Sequence, residues 1–168
     1  MDKERLKQHL INDTTRLFCV LDGASVPELP MQLYKMEAAN HCLFKGKLEP
    51  DMLYAAPYLV YLRRNDKFTE WVFNEGFGKH WGIFVQSSSS AIEMRSHFRS
   101  LVKVYDEQAK SMIFRFYDPR VLTRFLPTCN QAQLKSFFGA VESFYAEEGE
   151  NLSRFQLDNG SLKRTELS

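Results

Sequence analysis

Gly78-Lys79 follows a glycine turn and has the outline of a phosphate loop. Such a loop needs a glycine five positions before the Gly-Lys pair and a Ser or Thr after the lysine, to cradle phosphate on backbone N–H groups and hold magnesium. Those positions hold Phe73 and His80, so no nucleotide site is expected. A zinc site wants paired Cys or His ligands at short spacing. His41 and Cys42 are adjacent, so on a strand they point to opposite faces, and no second pair follows. Cys42 and His80 are the residues from which a nucleophile and its base could be assembled in space. Their structural alternatives are a buried thiol acting as a small hydrophobe and a hydrogen-bonding histidine at a strand edge beside Trp81. Neither G-x-S-x-G nor H-E-x-x-H occurs. Asp22 belongs with Gly23 to a turn, and Asp118 with Pro119 to a helix start. No catalytic residue, metal site or cofactor is predicted.

The segment Ile113-Phe114-Arg115-Phe116-Tyr117-Asp118-Pro119-Arg120 stands apart. As a strand it sets Met112, Phe114 and Phe116 on one face and Ile113, Arg115 and Tyr117 on the other. Arginine and aromatic side chains on one sheet face could stack bases, and they are also favoured at protein interfaces. The structural alternative pairs Arg115 with a buried carboxylate, Asp22 or Asp118. Protein contact is preferred to nucleic acid, because the net charge is only +1 and no ribonucleoprotein-type glycine pattern is present.

The elements that would position these residues alternate between helix and strand. Leu6 and Leu10 predict a helix over 3–12, and the apolar run Leu17–Leu21 a buried strand. Short helices are expected at Leu29–Met36 and Asp51–Ala56, with strands His41–Phe44 and Tyr58–Leu62. Phe68, Trp71 and Val72 share one helical face before Gly76-Phe77-Gly78, and Trp81–Val85 reads as a fourth strand. The serine run 87–90 ends in a helix N-cap. Leu101–Tyr105 and Met112–Tyr117, joined by Asp106–Lys110, read as a β-hairpin. Asp118-Pro119 opens a helix carrying Val121, Leu122, Phe125 and Leu126, stopped at Pro127, and Gln131–Phe138 is another. The predicted fold class is α/β: a three-layer mixed sheet flanked by helices, with a smaller, mainly helical C-terminal lobe. The division is a core domain at 1–118 and a lobe with a variable tail at 119–168, or one continuous domain.

At 168 residues, 44% hydrophobic and 26% charged, the chain is in the globular range. Residues 79–135 hold nine basic and four acidic side chains, whereas 136–168 hold three and six. The opening residues are of mixed charge with no apolar run behind them, which predicts no secretory signal. The longest apolar stretch, Met52–Leu62, is far short of the roughly 20 residues that span a bilayer. Three widely spaced cysteines suit a reducing compartment. A cytoplasmic protein without membrane or nucleic-acid partners is expected.

Six blocks in order then carry a resemblance: Leu21-Asp22-Gly23-Ala24; Cys42-Leu43-Phe44 with Gly46; Ala56-Pro57-Tyr58-Leu59-Val60; Gly78-Lys79-His80-Trp81-Gly82-Ile83-Phe84; Phe114 to Leu122 with Phe125-Leu126-Pro127; and Phe137-Phe138-Gly139. Over residues 17–139 the chain resembles the type VI secretion effector adaptors, the Tap or Tec chaperones. The resemblance implies a non-enzymatic cytoplasmic protein that binds a cognate toxic effector and helps to load it onto the spike protein VgrG. It carries over no catalytic residue. Asp22, Gly23, His80, Trp81, Asp118 and Pro119 are then structural motif residues. Arg115, Tyr117, Arg120, Phe144 and Tyr145 are the expected partner contacts, and the region beyond Gly139 is the expected seat of partner selectivity. The other classes are a Cys42- or His80-dependent hydrolase and a nucleic-acid-binding module.

Overall fold

A computed structural model describes residues 3–167. Along the chain run α1 (Lys3–Leu10), β1 (Arg16–Asp22), α2 (Leu29–Lys35), β2 (Asn40–Cys42), α3 (Pro50–Ala55), β3 (Pro57–Leu62), α4 (Lys67–Glu75), β4 (Gly82–Ser87) and α5 (Ala91–Val102). There follow β5 (Lys103–Tyr105), β6 (Ser111–Ile113), α6 (Pro119–Phe125), a 3₁₀ turn at Leu126–Thr128, α7 (Gln131–Phe138), β7 (Ser143–Glu148), β8 (Asn151–Asp158) and β9 (Ser161–Leu167). Seven strands form one sheet in the order β2-β3-β1-β4-β7-β8-β9.

The sheet is central because both of its faces are covered. Along β1, Leu17, Cys19 and Leu21 face one core with Leu6, Leu29, Leu33, Phe68 and Val72 from α1, α2 and α4. Phe18 and Val20 face a second core with Met94, Phe98, Leu122, Leu134 and Phe137 from α5, α6 and α7. This is why β1 reads as an uninterrupted apolar run rather than an alternating one. The three-layer α/β arrangement is as expected. Local chemistry sets the helix starts: Ser90 and Glu93 form a reciprocal capping box on α5, Asn130 and Gln133 form another on α7, and Asp118 caps α6 before Pro119.

Three expectations fail. Every strand pair in the large sheet is antiparallel, so the sheet is not mixed in direction. The β5–β6 hairpin does not join it but forms a separate two-stranded sheet. The region after α7 is strand, not helical lobe: β7 pairs with β4, and β8 and β9 continue the sheet outward. On either side of the 118/119 line, Phe116 and Tyr117 share the second core with Leu122 and Leu126. Because β7 closes the β4 edge and contributes Phe144 and Tyr145 to the two cores, the region beyond Gly139 is part of the folded body.

Candidate partner-binding surface

Two buried carboxylates organise the Arg115 segment. Asp22 ends β1, and its carboxylate accepts the Ala24 N–H at 3.0 Å and the Ser25 hydroxyl at 3.0 Å, closing the turn. The same carboxylate takes the Arg115 guanidinium. Asp118 accepts the Arg120 N–H at 2.9 Å and a two-pronged grip from its guanidinium at 3.0 and 2.7 Å, with Arg115 3.9 Å away. Burial by itself would raise the Asp118 carboxyl, but the Arg120 hydrogen bonds outweigh it and hold the group below its ordinary value. Burial, with Asp22 nearby, pushes the Tyr117 phenol up to about 12. Gly23 lets α3 come close: a Cβ there would sit 2.4 Å from the Tyr54 carbonyl oxygen and 2.5 Å from that of Ala56. The cluster therefore ties the end of β1 to the close of α3, to the chain returning from β6 and to the start of α6.

What this anchoring holds out is the hairpin. Phe114 N–H bonds the Val102 carbonyl at 2.7 Å, and from there β5 and β6 project with Tyr105 64%, Met112 47% and Ile113 56% exposed. On the near side of the hairpin, the loop from Leu43 to Leu48 and the exposed α3 leave a groove of about 310 Å³. Its floor and walls are Leu43, Phe44, Leu48, Met52, Val102, Met112 and Ile113, and its charged residues are Lys45, Arg99 and Lys103. No carboxylate lines it. Arg99 donates to the Cys42 carbonyl at 2.8 and 3.2 Å, and the Lys103 ammonium lies over the Tyr105 ring at 5.7 Å. A concave apolar surface of one charge sign is suited to bind a chain segment, since apolar burial supplies affinity and the rim supplies orientation.

A family model described as a domain of unknown function, DUF4123, matches residues 17–136. The chain belongs to the DUF4123 family. No curated protein and no solved structure matches it. The matched stretch of this DUF4123 chain begins in β1 and ends in α7. It contains the Asp22–Arg115–Asp118–Arg120 cluster and the whole groove, and it stops before β7.

The other sequence candidates of the DUF4123 chain are placed differently from expectation. Tyr117, Phe144 and Tyr145 are buried, so they are not surface contacts. Phe144 packs its ring against Phe137 and Phe138 at 5.3 and 5.0 Å, and the Tyr145 hydroxyl donates to the Gln86 side-chain oxygen at 2.6 Å. Both faces of β7 meet a core, so neighbouring aromatics there are both internal. The strand expected over 112–117 ends at Ile113, and the turn beyond it brings Phe116 and Tyr117 inward together. Arg115 and Arg120 reach solvent, but both hold internal carboxylates.

The Gly78-Lys79-His80 loop is filled by the chain itself. Gly78 and His80, both at positive φ, aim their N–H groups at the Glu147 carboxylate at 2.9 and 3.1 Å. The anion in this backbone cradle is thus a side chain of β7. Trp81 is buried against Trp71 with 4.6 Å between ring centroids. Cys42 is aligned across the sheet with Tyr58, Leu21 and Gly82, so three strand spacings, roughly 14 Å, separate it from the strand that His80 precedes. They form no nucleophile–base pair. Burial also pushes the Cys42 thiol up, away from the reactive thiolate. No cluster of three or more His, Cys, Asp or Glu able to hold a metal occurs among the described residues, and none of the described helices is long and apolar enough to cross a membrane. The groove residues escaped the sequence reading because Lys45 and Met52 lie roughly fifty residues or more before Arg99, Lys103 and the hairpin; Met112-Ile113 in so short a strand was the available signal.

Proposed function

We propose that this DUF4123 protein is a non-catalytic cytoplasmic adaptor of a type VI secretion system, which binds a cognate toxic effector and promotes its loading onto the VgrG spike. The observation that carries the reading is the solvent-open, apolar and cation-rimmed groove between the β5–β6 hairpin and α3, inside the family-matched region. The six ordered motif blocks resembling the effector adaptors support it. So does the internal use of the polar motif residues: Asp22 and Asp118 hold arginines within the fold and the Gly78–His80 loop closes on Glu147, whereas the groove is open to solvent.

The test is recovery of the tagged, full-length chain from cells expressing a type VI secretion system, with the retained proteins identified by mass spectrometry. Recovery of a large toxin-like protein with VgrG, and loss of that toxin from the secreted fraction when the chain is deleted, is the expected result. Secretion unchanged by the deletion would overturn the proposal.

A further inference from the structure

Resting on the adaptor reading, we propose that the groove receives a segment of the effector in which apolar side chains are flanked by carboxylates. The chemistry of the lining selects that occupant. Lys45, Arg99 and Lys103 surround the apolar walls, and none of the three pairs with a carboxylate among the described residues. Three unneutralised cations beside a low-dielectric wall favour an acidic partner and disfavour a basic one by like-charge repulsion. Met52 and Met112 are unbranched and polarizable, and they suit a surface that must accept apolar side chains of varied shape. The site is a concavity of about 310 Å³ between the 43–52 segment and the hairpin, a shape that a polypeptide segment can enter. The two elements are held by different anchors. The hairpin is tied down through Arg115 on Asp22, and the opposite wall through Arg99 on the Cys42 carbonyl. Arg99 thus braces the groove while leaving its charge in it.

The experiment places a photoreactive benzoylphenylalanine at Ile113 in the groove, or at exposed Tyr34 outside it, in the full-length chain. Each is irradiated with the effector that the wild-type chain retains, and the adducts are mapped by mass spectrometry. The expected adduct forms from position 113 and not 34, on an effector segment with apolar residues between Asp or Glu. The exposed double variant K45E/K103E, shown by circular dichroism to be folded, should bind that effector about tenfold or more weakly. Changing the mapped acidic residues to Lys should restore its binding. An adduct on a second copy of this chain, on a segment lacking carboxylates, or on lipid would overturn the inference. So would wild-type affinity in K45E/K103E. In each of those cases the effector is still retained and the adaptor reading stands, whereas a wild-type chain that retains no effector refutes that reading itself.

Discussion

Replacing Arg115 by Met separates a structural arginine from a partner-contact arginine. Asp22 is nearly inaccessible, and Arg115 neutralises it. Breaking a wholly buried pair from one side costs about 3–5 kcal/mol, because a bare carboxylate stays behind. Two features reduce that here. The Arg115 side chain is 46% exposed, so water already screens the pair, and Asp22 keeps the Ala24 N–H and the Ser25 hydroxyl. About half the cost, ~2 kcal/mol, is expected. At 168 residues this corresponds to a fall in Tm of roughly 4–8 °C. Urea unfolding followed by circular dichroism measures it, and a cycle with Asp22→Asn and the double variant isolates the coupling, expected at about 1–2 kcal/mol. A loss under about 0.5 kcal/mol for Arg115→Met, or strictly additive single variants, would refute the anchoring argument and return Arg115 to the surface-contact class.

Gly23→Ala should lower stability by about 1–3 kcal/mol, because its methyl would strike the Tyr54 and Ala56 carbonyls rather than a movable side chain; thermal unfolding reads this directly. Glu147→Gln removes the charged acceptor of the Gly78 and His80 N–H groups, and should accelerate amide exchange in residues 76–81 while the centre of the sheet stays protected. The folded Asp118 carboxyl lies below its unfolded value, so its stabilising contribution is full above the unfolded pKa and fades as pH falls through the folded one. Unfolding free energies measured between pH 7 and pH 3 should therefore decline less steeply in Asp118→Asn than in the wild type.

The legible parts of the sequence were those where one local signal had one physical meaning. The β1 run, the Asp118-Pro119 cap and the serine start of α5 announce themselves because burial on both faces and orphan N–H groups demand those residue types. Strand direction was not legible, since helices between strands also suit a parallel sheet, and β1, β3, β4 and β7 pair across long intervening segments whose return direction no local signal sets. β7–β9 were missed although Asn159-Gly160, both at positive φ, form the two-residue turn that pairs Asp158 with Ser161. The charged sequence of β9 obscured it, as befits an edge strand that must not pair with neighbours. Of the site, the Arg115–Asp22 alternative was legible because a near-buried turn aspartate needs a cation. The groove was not, because it is assembled from the 43–52 loop, α5 and the hairpin.

The late pairing of β7 with β4 also constrains how the protein is made. Residues 82–87 leave the ribosome with one side matched by β1, but Val85 finds Phe144 only after about sixty more residues have been synthesised. Until then the nascent chain carries an open strand edge above a half-built aromatic core. A ribosome that stalls, or a message truncated, anywhere before β7 releases a species primed to pair with its own kind, so production of this protein should depend strongly on uninterrupted translation and on factors that shield the emerging chain.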